Sequence, residues 1–473
     1  MTPFNTKRSH KFLIIAVDLA LILLAYVSAF YIRYQGFPER NWDSFVHLLP
    51  WILLIGFVFI SIYDLYTLQR KSVSDVISAV FISVTFMALL TMAASFLFRQ
   101  FALPRSIILM AALFTMVLFI LWKTSYIRYW KGKASGHVLV VGDTEETQKI
   151  VSQLKDPLFS GTKIKHVQSN TDLDKIDELL SRVDYVVLCP HIPKERKAAI
   201  IYRAMKQDKE VYVIPSMYEL LMHGASITSF DDTLVMAVRP FGLTWDQELI
   251  KRLFDLVVSG VALVLLAPLF LFIAILIKLE EPHGSIIYRQ KRLGLHNREF
   301  TMYKFRSMIE GAEKLTGPVL AEENDPRITR VGKFLRKTRL DELPQLFNVF
   351  KGDMSLVGPR PEREFFIRQF SKQYATYQYR SSVKPGITGY AQIMGKYSTD
   401  AEDKLRYDLY YIRNYSFWLD IIILLRTFMV LFDQEKAEGT NHKSTPKAHT
   451  AQAVAPISQP KKKSQADDLF INI

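Results

Sequence analysis

The residues of this chain best suited to chemistry are two adjacent carboxylates, Asp341 and Glu342, in the segment KFLRKTRLDELPQLFNVFKGDMSLVGPRP. This segment covers residues 333–361, and the cations around the pair are Arg336, Lys337, Arg339 and Arg360. Arginine presents a planar fork that matches phosphate oxygens in pairs. The pattern predicts either a carboxylate nucleophile or a set of metal ligands inside a phosphate-binding field.

Two interpretations of Asp341 are open from its neighbours in the sequence. It can be the N-cap of a helix, with Pro344 near the first turn and Glu342 favourable to the helix dipole. Alternatively, its carboxylate can attack phosphorus and form an acyl phosphate, as in aspartyl-phosphate ATPases. That chemistry needs neutralising charge from Mg²⁺ and arginine, with Glu342 as a metal ligand or a proton acceptor.

Glycine and proline punctuate the same region in GPRP, residues 358–361, and in KPGITG, residues 384–389. These residues force tight turns, which can aim backbone amides at an anion. Together with the surrounding cations, they suggest a pocket for a pyrophosphate or a nucleotide diphosphate.

The N-terminal part of the chain is predicted to hold the acidic segment, residues 333–361, at a membrane. Four apolar runs of roughly 20 residues open the chain, and their length predicts four transmembrane helices within residues 1–131. Lysine and arginine precede the first run, join the second to the third, and follow the fourth, which places both ends of this unit in the cytoplasm. The runs cover residues 12–32, 46–66, 73–98 and 107–122.

A change of pattern at residue 137 indicates a separate unit. Short apolar runs alternate with amphipathic stretches over residues 137–243, which predicts a parallel α/β domain of degenerate Rossmann-like type. Its first turn has only Gly142, without the further glycines that let a pyrophosphate approach the helix. A structural or regulatory domain is therefore favoured over a working dinucleotide site.

A second membrane-length run, residues 253–277, precedes the acidic pair. Pro268 interrupts it past the middle and basic residues flank both ends, which favours a helix-break-helix hairpin that enters and leaves the same leaflet. Residues 417–432 are short and charged, as in an amphipathic helix at the membrane interface. Residues 434–473 have the composition of a disordered basic tail.

The net charge of +14 favours acidic partners, and for a membrane protein anionic lipid head groups are the first candidate. Nucleic acid is not expected, because no recognition motif is present. The single cysteine, Cys189, excludes internal disulfides and a cysteine metal cluster, and it is expected to be a buried, inert thiol.

Residues 251–432 closely resemble the bacterial sugar transferase family, the monotopic polyprenyl-phosphate phosphoglycosyl transferases. The resemblance is carried by KRLFD, YRQKRLG, YKFRSM, DPRITRVGKFLRKTRLDELPQLFNVFKGDMSLVGPRPE and KPGITGYAQIMG. Four transmembrane helices with a degenerate Rossmann-like domain are the arrangement of the large members of that family. The resemblance implies a mainly α-helical catalytic domain with a re-entrant membrane hairpin, over residues 250–433.

The resemblance also implies roles for individual residues. Asp341 matches the nucleophile that attacks the β-phosphorus of a UDP-sugar, releases UMP, and passes the phosphosugar to undecaprenyl phosphate. Glu342 matches the adjacent acid associated with Mg²⁺, so both carboxylates are candidate metal ligands. The candidate substrate-binding cations are Lys304, Arg336, Arg360 and Lys384, the last at a position where some relatives carry arginine.

At the hairpin break, Ala267 stands where the family commonly has serine, whereas Pro268 and its bend are retained. Because UDP-sugars are cytoplasmic, the resemblance implies a multi-pass protein of the bacterial inner membrane whose catalytic domain lies on the cytoplasmic face. The expected reaction is the first membrane step toward a capsule, exopolysaccharide, O-antigen or other surface glycan. A homodimer is a further expectation, and neither the sugar nor the pathway follows from the sequence.

Two other functions remain open. An NAD-dependent membrane nucleotide-sugar dehydratase also joins four transmembrane helices to a Rossmann domain, and its tyrosine-lysine spacing occurs at Tyr202 and Lys206 and at Tyr129 and Lys133. It also needs the glycines that the first turn lacks. A non-catalytic scaffold for polysaccharide enzymes would use the α/β domain and the tail for docking, and it leaves the intact Asp-Glu pair unexplained.

Overall fold

The computed structural model of the protein comprises a helical bundle, an α/β region and a mainly helical C-terminal region. The predicted tail, residues 434–473, lies outside the described residues. The structure describes residues 8–68, 71–100, 102–131, 137–143, 147–148, 150–151, 163–311, 325–395 and 399–432.

Four long apolar helices form the N-terminal bundle, and each has 24 to 27 residues. At about 1.5 Å per residue, such helices exceed the roughly 30 Å hydrocarbon core of a bilayer. The prediction of four helices long and apolar enough to cross a membrane is confirmed. They are α1 (Arg8–Tyr34), α2 (Glu39–Ile62), α3 (Val73–Leu97) and α4 (Arg105–Lys131).

One ion pair lies inside the bundle. Lys123 binds the carboxylate of Asp18 and also donates a hydrogen bond to the carbonyl of Leu65 at 2.8 Å, and both charged side chains are fully buried. Because a buried charge is tolerated only when it is paired, this contact ties α1 and α4 to the segment that follows α2.

The α/β region is built on a four-stranded sheet in which all strands are parallel, in the order β2-β1-β3-β4. Every residue of β3 is buried, as expected for a strand covered on both faces. The strands are β1 (His137–Val141), β2 (Lys163–Val167), β3 (Tyr185–Leu188) and β4 (Glu210–Val213). The helices are α5 (Leu173–Leu180), α6 (Lys194–Lys206) and α7 (Met217–Met222), and an exposed antiparallel hairpin follows, β5 (Ser226–Phe230) and β6 (Thr233–Ala237).

Gly142, the glycine that follows β1, is explained by packing. A Cβ atom at this position would lie 2.3 Å from the sulfur of Cys189, which is itself fully buried after β3. The glycine therefore lets two neighbouring strand ends approach each other. This contact needs no ligand.

The C-terminal region starts with two apolar helices, α8 (Trp245–Leu265) and α9 (Ala267–Glu280), whose axes are bent by 59° at Leu266. Pro268 lies in the first turn of α9. The backbone N–H groups of a first turn have no partner within the helix, so a proline there costs no hydrogen bond. Ala267 and Pro268 are both exposed at the bend. The break is thus the start of a second helix, and it removes no hydrogen bond from the middle of a single long one.

The rest of this region consists of short elements that fold back on α8. An antiparallel hairpin, β7 with β8, is followed by helices and by a parallel pair, β9 with β10. The elements are β7 (Ile287–Leu293), β8 (Glu299–Phe305), α10 (Arg330–Lys337), α11 (Gln345–Lys351), β9 (Ser355–Val357), α12 (Glu364–Gln373), β10 (Gly386–Thr388), α13 (Tyr390–Met394), α14 (Ala401–Arg413) and α15 (Phe417–Phe432).

A polar stripe on α8 attaches the bent helix pair to these elements. The carboxylate of Asp255 accepts a hydrogen bond from the backbone N–H of Leu356 at 3.0 Å, inside β9. Arg252 donates to the carbonyls of Val349 and Phe350, at the C-terminal end of α11, at 2.7 and 2.8 Å. The opposite face of the pair is apolar and exposed, with side chains that include Val261, Val264, Leu265, Leu271 and Phe272.

Helix α15 joins the C-terminal region to the bundle. On one side Arg426 forms an ion pair with Asp64 and donates to the carbonyl of Ile62 at 2.8 Å. On the other side the hydroxyl of Thr427 lies 2.8 Å from that of Thr388, in β10. The sequence predicted an amphipathic helix here, and the structure adds protein contacts on two sides that the sequence did not reveal.

The buried ion pair between Lys251 and Asp420 makes a prediction about stability. It fixes α8 to α15, and its side chains are only 7% and 2% exposed. Lys251→Met would leave a buried carboxylate unpaired, which typically costs about 3–5 kcal/mol. We expect a clear fall in the apparent Tm of the purified protein in detergent.

Lys291→Met is the matched control, because the Lys291 side chain is 78% exposed and its ion pair with Glu299 lies at the surface. Exposed ion pairs contribute about 0–1 kcal/mol, so this Tm should stay near that of the unmodified protein. Equal Tm values for both variants would contradict the structural role of the buried pair.

Candidate active site

The two carboxylates lie in a single turn of 3₁₀ helix, Leu340–Glu342, between α10 and α11. Arg339, just before the turn, has a left-handed backbone with φ of 58°, which reverses the chain after α10. Helix α11 begins at Gln345 with Pro344 at its N-cap position and no side-chain cap. The N-cap interpretation of Asp341 is therefore wrong.

Glu342 is held by two cations. Its Oε1 atom accepts hydrogen bonds from the Lys304 ammonium and from the Arg360 guanidinium, both at 2.8 Å. Burial alone would raise the pKa of Glu342, but the charges of Arg360 and Lys304 outweigh it and hold the pKa well below its usual range. Glu342 is thus a fixed anion that orients both cations.

Asp341 has the opposite environment. Its side chain is buried, and within the described residues no hydrogen bond or ion pair engages its carboxylate. Burial and the neighbouring charge of Glu342 raise the pKa of Asp341 to about 6, against the smaller opposing effects of Lys304, Arg336 and Arg360. The two carboxylates therefore differ. Glu342 is fixed by Lys304 and Arg360, whereas Asp341 lies beside the same cations without a bonded partner within the described residues.

Helix α10, which carries Arg336, is fixed at its N-terminus. The hydroxyl of Thr329 accepts from the N–H of Gly332, while both carboxylate oxygens of Glu280, at the end of α9, accept from the first two amides of the helix at 2.7 and 3.0 Å. A Cβ at Gly332 would lie 2.0 Å from the carbonyl oxygen of Ser307, so the helix packs directly on that backbone. Arg336 then donates to the Ser307 hydroxyl at 3.0 Å.

The two glycine-proline segments pack against each other. The N–H of Gly358 donates to the carbonyl of Thr388 at 2.9 Å, and the N–H of Gly386 donates to that of Pro359 at 3.0 Å. A Cβ at Gly358 would lie 2.4 Å from the carbonyl oxygen of Lys384. These two amides are therefore bonded within the protein, and the turns present Arg360 to the site where the sequence predicted amides aimed at an anion.

Residues 246–434 match the bacterial sugar transferase family in sequence. This part of the chain is similar to bacterial sugar transferases. The match contains the helix pair, the acidic turn and all four of the predicted substrate-binding cations.

Curated relatives resemble the same part of the chain. The UDP-N-acetylgalactosamine-undecaprenyl-phosphate N-acetylgalactosaminephosphotransferase of Aeromonas hydrophila is 43% identical over 224 residues, which are 47% of this chain and 52% of the relative. The UDP-glucose:undecaprenyl-phosphate glucose-1-phosphate transferase of Xanthomonas campestris pv. campestris is 37% identical over 276 residues, 56% and 57% of the two chains.

A third relative, the undecaprenyl-phosphate galactose phosphotransferase of Salmonella typhimurium, is 35% identical over 245 residues, 48% of this chain and 50% of the relative. The chain thus spans about half the length of the curated relatives it matches. The names of these three proteins specify three different sugars.

Lys384, the fourth predicted substrate-binding cation, makes no hydrogen bond or ion pair with the acidic pair within the described residues. It is half-buried beside α8, and burial together with the charge of Arg252 lowers its pKa, against the attraction of Asp255, Glu248 and Asp353. Lys304, Arg336 and Arg360 do converge on the pair. The carbonyl of Lys384 packs against Gly358, and the predicted contact of its side chain with the substrate stays a prediction.

Sequence reasoning missed a second charged group behind the loop of residues 359–362. Arg380, in a 3₁₀ segment, and Asp408, in α14, form a buried ion pair with an N–O distance of 2.9 Å, and Arg380 also donates to the carbonyl of Arg360. Burial raises the pKa of Asp408 to about 6, against the opposing charge of Arg380. The two residues are 28 positions apart, and no local pattern connects them.

The acidic turn can accommodate Mg²⁺ as a partial ligand set. The described residues contain no group of three or more His, Cys, Asp or Glu side chains arranged to hold a metal ion. Mg²⁺, however, is commonly bound by one or two carboxylates together with substrate phosphates and water. Asp341 and the Oε2 atom of Glu342, which accepts neither of the two cation bonds, suit that mode.

Proposed function

We propose that this protein transfers a hexose-1-phosphate from a UDP-sugar to undecaprenyl phosphate. The observation that carries the proposal is the division of the acidic pair, in which Glu342 is bound by Lys304 and Arg360 while the carboxylate of Asp341 has no bonded partner among the described residues. The curated relatives, whose names specify this class of transfer, support it for the matched domain.

In the proposed first step, a carboxylate oxygen of Asp341 attacks the β-phosphorus of the UDP-sugar. The bond from that phosphorus to the bridging oxygen breaks, and UMP leaves with the electron pair. In the second step, a phosphate oxygen of undecaprenyl phosphate attacks the same phosphorus and displaces the carboxylate. The products are undecaprenyl-diphospho-sugar and regenerated Asp341.

The chain's own cations would bind and neutralise the diphosphate. Arg336 and Arg360 present guanidinium forks and Lys304 a point charge. All three lie close enough to Asp341 for their charges to lower the pKa of its carboxyl. Mg²⁺, held by Asp341 and Glu342 together with the diphosphate, would supply further neutralising charge when bound. Because Glu342 is already ionised, it keeps Lys304 and Arg360 in place before the substrate arrives.

We also propose how the protein sits in the membrane. The four-helix bundle, residues 1–131, spans the bacterial inner membrane, and α8 with α9 forms a re-entrant hairpin that returns to the cytoplasmic face. The bend of 59° and the exposed apolar side chains of the pair support this placement against membrane lipids. The Rossmann-like region, residues 137–243, is a structural or regulatory domain, and a homodimer remains a prediction.

The sugar is a hexose or an N-acetylated hexosamine. The names of the three relatives specify N-acetylgalactosamine, glucose and galactose, so similarity alone does not decide among these. All three would present the same diphosphate to the acidic turn. A panel of UDP-sugars in a UMP-release assay identifies the donor.

The covalent mechanism predicts that Asp341→Asn abolishes UMP release from the preferred UDP-sugar in the presence of undecaprenyl phosphate. An amide lacks the charge and nucleophilicity of the carboxylate, yet has nearly the same shape. Asp353→Asn is the matched control, because Asp353 pairs with Lys351 outside the acidic turn and its variant should keep normal activity. Full activity of Asp341→Asn would refute the covalent mechanism.

The raised pKa of Asp341 predicts the pH dependence of the first step. The attacking species is the carboxylate, so the single-turnover rate of UMP release should fall about tenfold for each pH unit below the pKa of Asp341, which is about 6 without metal and lower when Mg²⁺ is bound. The measurement omits undecaprenyl phosphate, whose own phosphate titrates near this range.

Asp408→Asn serves as the control for this profile, because the pKa of Asp408 is also raised to about 6 by burial. The fall in rate must persist in that variant if Asp341 is its origin. A rate that rises as the pH falls from 7 to 5 would contradict attack by the Asp341 carboxylate.

The re-entrant placement predicts that both ends of the α8–α9 pair are labelled from the cytoplasmic side. Glu248→Cys and Lys291→Cys suit this test because both positions are exposed, and the native Cys189 is fully buried and gives little background. An impermeant maleimide should label both in inside-out vesicles and neither in right-side-out vesicles.

Arg40→Cys is the control for the opposite face, because Arg40 is exposed near the start of α2, on the side predicted to lie outside. Labelling of Glu248→Cys and Lys291→Cys from opposite sides would instead show that α8 and α9 cross the membrane.

A further inference from the structure

The loop that carries Arg360, residues 359–362, has no regular secondary structure of its own. It joins β9 to α12, and its arginine must reach across to Glu342. The Arg360 side chain is 40% exposed, so packing alone does not fix its direction. The position of Arg360 therefore depends on what holds the backbone of this loop.

Arg380 holds the loop at the carbonyl of Arg360 itself. Its Nη2 atom donates to that oxygen at 3.0 Å and lies 2.9 Å from the Asp408 carboxylate, while its Nη1 atom donates to the hydroxyl of Tyr377 at 2.6 Å. The Arg380 and Asp408 side chains are 9% and 3% exposed. One guanidinium thus connects the active-site loop to α14 and to the buried Tyr377.

The next two carbonyls of the loop are also bound. Arg292, in β7, donates to the carbonyl of Pro361 at 3.2 Å, and the N–H of Leu293 donates to that of Glu362 at 3.2 Å. The Glu362 carboxylate lies 3.9 Å from Arg292 and 4.0 Å from Arg380. The carbonyls of residues 360–362 are therefore all bound by β7 or Arg380. These bonds fix the backbone of the loop with the Arg360 side chain on Glu342.

A buried ion pair contributes little net stability compared with apolar packing of the same volume. What a guanidinium does supply is a rigid fork that reaches several acceptors at once. At this place the fork binds the backbone of the residue whose side chain neutralises Glu342. The arrangement fits a role in placing Arg360 better than a role in general stability.

We propose that Arg380, held by Asp408, is a positioning residue that keeps the Arg360 guanidinium on Glu342 and ready for the diphosphate of the donor. This inference rests on the proposed function for its substrate. It predicts that Arg380 acts only through Arg360, because Arg380 contacts neither Asp341 nor Glu342 within the described part of the chain.

A double-mutant cycle tests this dependence. Arg380→Lys keeps the charge but loses the fork, and we expect the single-turnover rate of UMP release to fall about 10- to 100-fold, as for small misplacements of a catalytic group. In an Arg360→Ala background the same change should cost less than about threefold, because the residue to be positioned is absent. Multiplicative losses in the two backgrounds would overturn the proposal.

The same cycle is measured on the affinity for UDP, which needs no turnover. Arg380→Lys should weaken UDP binding in the presence of Arg360 and leave it nearly unchanged in Arg360→Ala. If the protein binds UDP but releases UMP from no UDP-sugar, the proposed function is refuted. The double-mutant cycle can still be measured on UDP affinity in that case. Independent effects of the two substitutions on UDP affinity would refute the positioning role alone.

Arg406→Lys is the matched control for substitution of a buried arginine. Arg406 lies on α14, as Asp408 does, its side chain is 12% exposed, and it pairs with Glu402 and Asp403 within that helix. We expect it to lower the Tm to a similar extent while UMP release stays near normal. If Arg406→Lys and Arg380→Lys lose equal activity, the loss in Arg380→Lys comes from lower stability and the positioning role is refuted.

Tyr377→Phe provides a milder variant if Arg380→Lys folds poorly. It removes the phenol oxygen that accepts from Arg380 and preserves the buried ring and the ion pair. We expect about a threefold loss of UMP release that disappears in the Arg360→Ala background. Persistence of that loss without Arg360 would count against the proposal.

Discussion

The binding of one carboxylate by two cations is the interaction on which the rest of the site depends. Two adjacent acids cannot both lie in a buried turn as free anions, because each raises the energy of the other. Lys304 and Arg360 remove this conflict by binding Glu342, and Asp341 is left beside them without a bonded partner among the described residues. Lys304 lies in β8 and Arg360 after β9, so the acidic turn requires both strands.

The same dependence extends to the bent helix pair, α8 with α9. The end of α9 binds the amides of α10 through Glu280, and α8 binds β9 through Asp255. Helix α10 carries Arg336 and β9 leads to Arg360, so each apolar helix is attached to one of the segments that supply a cation. The position of the helix pair and the geometry of the acidic turn are therefore set by the same contacts.

Much of this arrangement is local in the sequence and could be predicted from it. The four apolar helices, the alternation that gives a parallel sheet, and the break near Pro268 all follow from periodicity and composition. The long-range partners do not. Nothing near Arg380 indicates Asp408, and the packing of Gly332 on Ser307 or of Gly358 on Lys384 becomes visible only when distant backbones are placed together. Lys384 shows the converse, since this cation next to a motif has Arg252 and Asp255 of α8 among the charges that shift its pKa.

Helix α15 gives the C-terminal region a second attachment. Arg426 and Thr427 are consecutive residues, and one holds the end of α2 while the other meets β10. A body attached to a membrane at one point can swivel about that point, whereas a body attached at two separated points cannot. If the bundle and the bent helix pair both lie in the bilayer, as we propose, the acidic turn faces one fixed direction along the membrane plane. A lipid diffusing in that plane then has a single side from which to approach.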